Sequence, residues 1–214
     1  MTRQERYRFL IRYFLENRPE AETELVYTTP YELAVAVILS AQCTDKRVNM
    51  ITPGFFKEFP DAVSLAKAKQ EDVLGLIKSC SYPNNKAKNL IGMANSLVHQ
   101  FHGIMPSEID ELLTIPGVGR KTANVLAAVI YDKPAMAVDT HVFRVSARIG
   151  LTLDAKNPHQ AEIQLVKYFP ESLIPLAHHW LILHGRYVCT ARKPKCDACG
   201  LTPVCKYYNG LKKK

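Results

Sequence analysis

Proline and glycine constrain this chain most strongly in one place. From Leu112 to Tyr131 it reads LLTIPGVGRKTANVLAAVIY. Leu112 and Leu113 end a short helix opened by Ser107. Pro116-Gly117-Val118-Gly119 then forces a tight turn, and Val125, Leu126, Val129 and Ile130 continue as a second amphipathic helix. Glycines serve such a turn twice: they tolerate positive φ, and without Cβ they let backbone N–H groups come close to a ligand. The N–H groups of Gly117 and Gly119 lie before a helix N-terminus, where they can bind phosphate without reading a base. A nucleotide-binding P-loop is excluded, because Arg120 separates Gly119 from Lys121, Thr114 sits near the place of the leading glycine, and no strand precedes. A plain helix–helix turn is the bland reading of the same pattern.

Lys121 is unusual for its position. It falls in the first turn of the second helix, where the macrodipole disfavours positive charge; a lysine placed for stability alone belongs at the other end. Two uses explain it, an amine nucleophile or a phosphate contact. Downstream, Ala137-Val138-Asp139-Thr140-His141-Val142-Phe143-Arg144 sets Asp139 after an apolar stretch and before a new helix. Read alone, Asp139 is an N-cap, and a cap can still turn one carboxylate oxygen into a site.

Helical spacing recurs nearly everywhere. Tyr7, Leu10, Ile11 and Phe14 make one apolar face, and Leu90, Met93, Ala94, Leu97 and Phe101 another. Thr29-Pro30-Tyr31-Glu32 reads as N-cap, N1 proline and capping-box glutamate, and Asn157-Pro158-His159-Gln160 repeats that logic. Only Glu22 to Tyr27 alternates like a strand, and it is too short to start a sheet. The expected fold is all-α, with about ten short helices. The softest boundary is Tyr131-Asp132-Lys133-Pro134, which separates a helical body from a lobe carrying most of the cysteines. At 47% hydrophobic and 22% charged residues, the composition is globular and excludes disorder. No apolar run exceeds the seven residues of Leu33–Leu39, far short of a membrane span. With no secretory pattern at MTRQERYRFL, a soluble intracellular protein is expected.

The chain carries 28 Lys and Arg against 20 Asp and Glu, a net charge of +8, three of them from Lys212, Lys213 and Lys214. Such a balance fits a polyanionic partner, most often nucleic acid, and serves solubility equally well. Two of the six cysteines, Cys43 and Cys80, are isolated and read as small buried apolar residues. The other four crowd together as Cys189-x6-Cys196-x2-Cys199-x5-Cys205. That spacing suits tetrahedral sulfur coordination, and either Zn²⁺ or an iron–sulfur cluster fits. Arg192, Lys193 and Lys195 stand in the longest gap. A metal held by the flanking thiolates would fix that loop's shape, making it a clamp for phosphate oxygens. His178, His179 and His184 lie upstream and read as packing or polar-network residues.

These segments resemble the helix-hairpin-helix DNA glycosylases and, within them, the endonuclease III family. The match runs from about Val35 to Cys205. It includes Ile38-Leu39-Ser40-Ala41-Gln42, Leu113 to Ala123, Val138 to Arg144 and His179-Trp180-Leu181-Ile182-Leu183-His184-Gly185-Arg186, in the family's order. The cysteine spacing matches that family's [4Fe-4S] site. The resemblance implies an all-α helix-hairpin-helix glycosylase fold of two helical lobes with a DNA-binding cleft between them. One lobe is residues 23–133, with the hairpin at about 107–131; the other is residues 1–22 plus 134–214, with the cluster loop at 189–205.

It also implies roles. Lys121 falls on the catalytic lysine, which attacks C1′ of a flipped, damaged nucleotide and expels the base; the resulting Schiff base permits β-elimination. Asp139 falls on the catalytic aspartate. Gln42 falls on the residue that fills the gap left by the extruded nucleotide, and Tyr82 on a second intercalating position where relatives often carry an aliphatic side chain. Gly117, Gly119, Arg192, Lys193 and Lys195 become backbone contacts, and Cys189, Cys196, Cys199 and Cys205 ligands of one [4Fe-4S] cluster. The implied partner is double-stranded DNA with oxidised pyrimidines or abasic sites. A monomer in the cytoplasm, associated with the nucleoid, is expected. Two rivals differ in testable ways. A monofunctional glycosylase of the superfamily usually lacks a lysine where Lys121 stands, and a zinc-held, non-catalytic DNA-binding module would be colourless.

Overall fold

The computed structural model describes residues 1–211; Lys212, Lys213 and Lys214, counted in the charge, lie outside the described residues. Among those described the chain forms twelve α-helices, two short 3-10 turns and no strand. The helices are α1 (Arg3–Asn17), α2 (Pro30–Ser40), α3 (Asp45–Glu58), α4 (Ala62–Ala66), α5 (Gln70–Ile77) and α6 (Pro83–His99), followed by α7 (Ile109–Leu112), α8 (Arg120–Tyr131), α9 (Thr140–Ile149), α10 (Pro158–Tyr168), α11 (Ile174–Tyr187) and α12 (Lys206–Leu211). No helix among the described residues is long and apolar enough to cross a membrane.

Local chemistry explains most boundaries. Thr29 and Asn157 are N-caps, accepting hydrogen bonds from Glu32 N (3.1 Å) and Gln160 N (2.9 Å). The expected return bond of a capping box goes elsewhere in both cases. The Glu32 carboxylate takes Thr28 N at 2.6 Å, and Gln160 Oε1 takes Lys156 N at 2.8 Å, each one residue before the cap. Ser107 does not open α7: Glu108 holds the N-cap position, and the Ser107 hydroxyl turns to its carboxylate. The alternating stretch Glu22–Tyr27 is irregular because one side chain stands in for a neighbouring strand. Asn49 of α3 accepts from Val26 N at 3.0 Å and donates to Glu24 O at 2.8 Å.

The chain folds into two compact units. One is Glu24–Tyr131; the other joins Met1–Thr23 to the chain from Asp132 onward. In the first, α2 is the central helix, with every residue of Leu33–Leu39 buried, and α3, α6 and α8 pack around it. A helix apolar on all sides needs such a position. The α6 face expected from the sequence is buried at Leu90, Met93, Ala94 and Leu97, with Phe101 only half-buried beyond the helix.

The second unit is built from the two ends of the sequence. Tyr7, Leu10 and Phe14 of α1 share a core with Val142, Val145 and Ile149 of α9 and Trp180 of α11. Phe14 stacks on Trp180 at 5.3 Å, and the indole N–H donates to Arg18 O at 2.7 Å. Gly200 presses on Tyr13, where a Cβ would lie 2.3 Å from the ring, so α1 packs directly against the cysteine segment.

On α11, His179 packs against His178, their ring centroids 4.9 Å apart. Burial, helped by the Arg186 charge, pushes the His179 pKa down from 6.5 to about 4. The folded chain therefore keeps this ring neutral where the unfolded chain would protonate it. Its contribution is present above pH 6.5 and is lost as pH falls toward about 4. Replacing His179 with Gln should reduce the drop in denaturation midpoint between pH 7 and the folded pKa; an unchanged drop would mean the ring is not held neutral.

Candidate functional site

In the first unit, the hairpin turn is shaped by close backbone approach. Gly117 has φ +82°, and a Cβ on it would lie 2.8 Å from the Asn89 Cβ of α6. One turn further along α6, a Cβ on Gly92 would lie 2.8 Å from the Pro116 Cβ. The turn therefore sits directly on the α6 face, closer than side chains would allow. Val118 N donates to Ile115 O at 3.0 Å, and Gly119 O accepts from Ala123 N at 2.9 Å to open α8. The N–H groups of Gly117 and Gly119 make no hydrogen bond among the described residues. Lys121 is exposed in the first turn of α8, as its sequence position implied.

Gln42 and Tyr82 lie in this same unit. Both are exposed, Tyr82 at 70%, and both have left-handed backbone, with φ of 56° and 54°. Non-glycine residues in that region carry a strain of about 1 to 2 kcal/mol. The two loops are tied together, since Ser81 Oγ donates to Gln42 O at 2.7 Å. Lys86 holds the Gln42 loop from below: it is 5% exposed, and its Nζ donates to Leu39 O (2.8 Å) and Ala41 O (2.7 Å). Burial pushes its pKa down, and the carbonyl end of α2 compensates part of that cost. The sequence reading missed Lys86 and Ser81. The available signal was a lysine on the buried stripe of α6, one turn from Tyr82.

In the second unit, Asp139 is the N-cap of α9: one carboxylate oxygen accepts from Val142 N at 2.8 Å, and no further hydrogen bond from the described residues reaches the group. The other end of α9 grips the cysteine segment. Arg144 donates to Gly185 O at 2.9 Å and Cys189 O at 3.2 Å. Arg148, one turn later, donates to Thr190 O and Ala191 O at 2.7 Å each, and its Nη1 lies 3.5 Å from Cys189 Sγ. With Thr190 Oγ1 bonded to Lys193 O (2.6 Å) and Lys195 N to Val188 O (2.9 Å), the loop is shaped by the protein itself. Arg192, Lys193 and Lys195 are all exposed on this loop.

Cys189, Cys196, Cys199 and Cys205 line one pocket, together with the apolar Ile149, Val188 and Leu201. Among the described residues, no three His, Cys, Asp or Glu groups gather closely enough to hold a single metal ion. Burial and the neighbouring thiols push the Cys196 and Cys199 pKa values up, an effect that a bound cation reverses. The donor set and its apolar shelter fit a polynuclear iron–sulfur group. Of the upstream histidines, His178 Nδ1 lies 2.8 Å from Ala137 O, and His184 Nε2 lies 3.6 Å from Cys199 Sγ. Burial, with the Arg18 charge, lowers the His184 pKa to about 4, so the ring is neutral beside the thiol.

Comparison with known proteins bears on both units. A model of the HhH-GPD superfamily base excision DNA repair proteins matches residues 35–171, and one of the iron-sulfur binding domain of endonuclease III matches residues 189–205. Endonuclease III of Rickettsia felis (strain ATCC VR-1525 / URRWXCal2) is 44% identical over 196 residues, 92% of each chain. Two solved structures superimpose closely. A trapped endonuclease III–DNA covalent intermediate, in an estranged-adenine complex, has 37% identity and a TM-score of 0.92 over 99% of each chain. A non-covalent endonuclease III–DNA complex has 36% identity and a TM-score of 0.93 over 100% of each. With the hairpin, the two helical units and the thiol pocket all in that pattern, this chain belongs to the endonuclease III family of helix-hairpin-helix DNA glycosylase/AP lyases and carries its iron–sulfur binding domain.

Proposed function

We propose that this protein excises oxidised, ring-saturated or fragmented pyrimidines from duplex DNA and cleaves abasic sites, with Lys121 as nucleophile. The observation that carries the reading is the exposed Lys121 in the first turn of α8, directly after a turn whose Gly117 and Gly119 amides are unspent. Those amides hold a DNA phosphate at a helix N-terminus and so fix the strand relative to the lysine. Gln42 and Tyr82 enter the duplex to replace the extruded nucleotide, and the exposed Arg192, Lys193 and Lys195 contact phosphates.

The chemistry then follows from the amine. Lys121 Nζ forms a bond to C1′ as the glycosidic bond breaks, its electron pair leaving with the base. Asp139, with carboxylate capacity beyond its cap bond, accepts the amine's proton and stabilises positive charge developing on the sugar. The C1′–O4′ bond then breaks, opening the sugar ring with its oxygen leaving as a hydroxyl and C1′=N forming as a protonated imine; loss of a C2′ proton follows, and the C3′–O bond breaks with the phosphate as leaving group. The relative captured as a covalent intermediate with DNA supports a route through a covalent enzyme–DNA adduct.

The four cysteines would hold one [4Fe-4S] cluster, a reading supported by the match of residues 189–205 to an iron–sulfur binding domain and by the pocket these cysteines line together. When bound, the cluster supplies a cross-link and a one-electron couple rather than the excision chemistry. The protein works as a monomer on nucleoid DNA in the cytoplasm.

Lys121→Gln should fold, bind lesion duplex and form no adduct on borohydride treatment, because the hairpin amides remain while the nucleophile is gone. A normal adduct from that variant would overturn the assignment. For Asp139→Asn, single-turnover excision should fall by on the order of 10²–10⁴. A group serving only as a cap would instead lower stability by about 1 kcal/mol and leave turnover largely intact. Denaturation midpoint and single-turnover rate, measured on the same sample, separate the two roles.

A further inference from the structure

Cys43 and Cys80 have no part in the proposed chemistry, yet the fold brings them together. Their Sγ atoms are 3.9 Å apart although 37 residues separate them in sequence. Each adjoins one of the paired loops: Cys43 follows Gln42, and Cys80 precedes Ser81 and Tyr82. Those loops are already joined by the Ser81–Gln42 hydrogen bond and braced by Lys86. Both sulfurs are therefore carried on loops that are already tied to each other. A disulfide bond of about 2.05 Å requires the sulfurs to close by roughly 2 Å, within reach of side-chain rotation and a small loop shift.

We propose that Cys43 and Cys80 are a peroxide-responsive thiol pair whose disulfide locks the Gln42 and Tyr82 loops together. The two sulfurs have different roles. Cys43 is half-buried and meets the oxidant, whereas Cys80 is 4% exposed and lies behind it. Burial, with Cys43 alongside, pushes the Cys80 pKa up to about 11, which suits a resolving thiol rather than a first nucleophile. The Cys43 thiolate attacks hydrogen peroxide, forming an S–O bond as the O–O bond breaks; the leaving hydroxide takes up the thiol's proton as water. Cys80 sulfur then attacks the sulfenic sulfur, forming S–S and releasing a second water. Two thiols and one peroxide give one disulfide and two waters, and a dithiol reductant reverses the step. The bridge's effect on excision rests on the proposed role of Gln42 and Tyr82 in the duplex; its formation does not.

The test uses the intact holoenzyme, treated with near-stoichiometric hydrogen peroxide while the visible absorption of the iron–sulfur centre is followed. After quenching with iodoacetamide and digestion with trypsin, the peptide ending at Lys46 should be joined to Ser79–Lys86, two hydrogens lighter than their sum. Dithiothreitol should release them, and Cys43→Ala should give no bridge while retaining its absorption and reduced-state excision rate. Recovery of both cysteines alkylated, or of Cys43 as sulfinic acid without a bridge, would overturn the pair. With the bridge formed and absorption unchanged, single-turnover excision should slow by up to on the order of 10²-fold, the cost of a displacement of about 1 Å at a positioning element. A bridge that leaves excision unchanged would uphold the thiol pair and overturn its coupling to the Gln42 and Tyr82 loops.

Discussion

Everything of interest in the unit Glu24–Tyr131 hangs on one face of α6. At its start stands Tyr82; one turn on, Lys86 holds the carbonyl end of α2 below Gln42; then Asn89 and Gly92 meet the hairpin turn. Two of these contacts have no spare space, since a Cβ on Gly92 or Gly117 would stand 2.8 Å from its neighbour. Close-packed interiors do not yield gradually to such intrusions. The turn, the lysine after it and the two exposed loop residues are thus placed by a single rigid helix. A site that depends on position gains most from that arrangement.

The other unit uses charge where the first uses close approach. Helix α9 begins at the capped Asp139 and ends with two guanidinium groups reaching across to the cysteine loop. Arg144 and Arg148 satisfy carbonyls that would otherwise be stranded at the end of α11 and in the loop beyond it. Asp139 and the basic loop thereby share one structural element. The glycine at 185 lets α9 and α11 come close enough for this, because a Cβ there would lie 2.8 Å from His141.

The sequence made local features legible and long-range ones not. Helix faces such as Leu90–Leu97 and the caps Thr29 and Asn157 follow from spacing and from residues within one turn. The return bonds of Glu32 and Gln160 were misplaced by one residue because a flexible side chain has several N–H groups within reach. Ser107 looked like a cap but turned to its neighbour's carboxylate. Lys86 and Arg148 were invisible for a different reason. Their partners are backbone carbonyls more than forty residues away, which no periodicity records. The strand-like Glu22–Tyr27 likewise lost its alternation to Asn49, a residue well outside it. For the candidate site, composition and spacing singled out the hairpin, Lys121 and the four cysteines, while the elements that support them came only with the fold.

The claim on which the functional reading depends is that one particular amine, set by the hairpin on α6, reacts with the sugar. Peptide mapping of the borohydride-trapped complex tests it directly. After nuclease and trypsin treatment, the residual sugar should be carried by Lys121, with tryptic cleavage blocked at that residue and intact at the other lysines that no proline follows. A sugar found on Lys86, Lys193 or any other amine would contradict the account, whatever the activity of the enzyme.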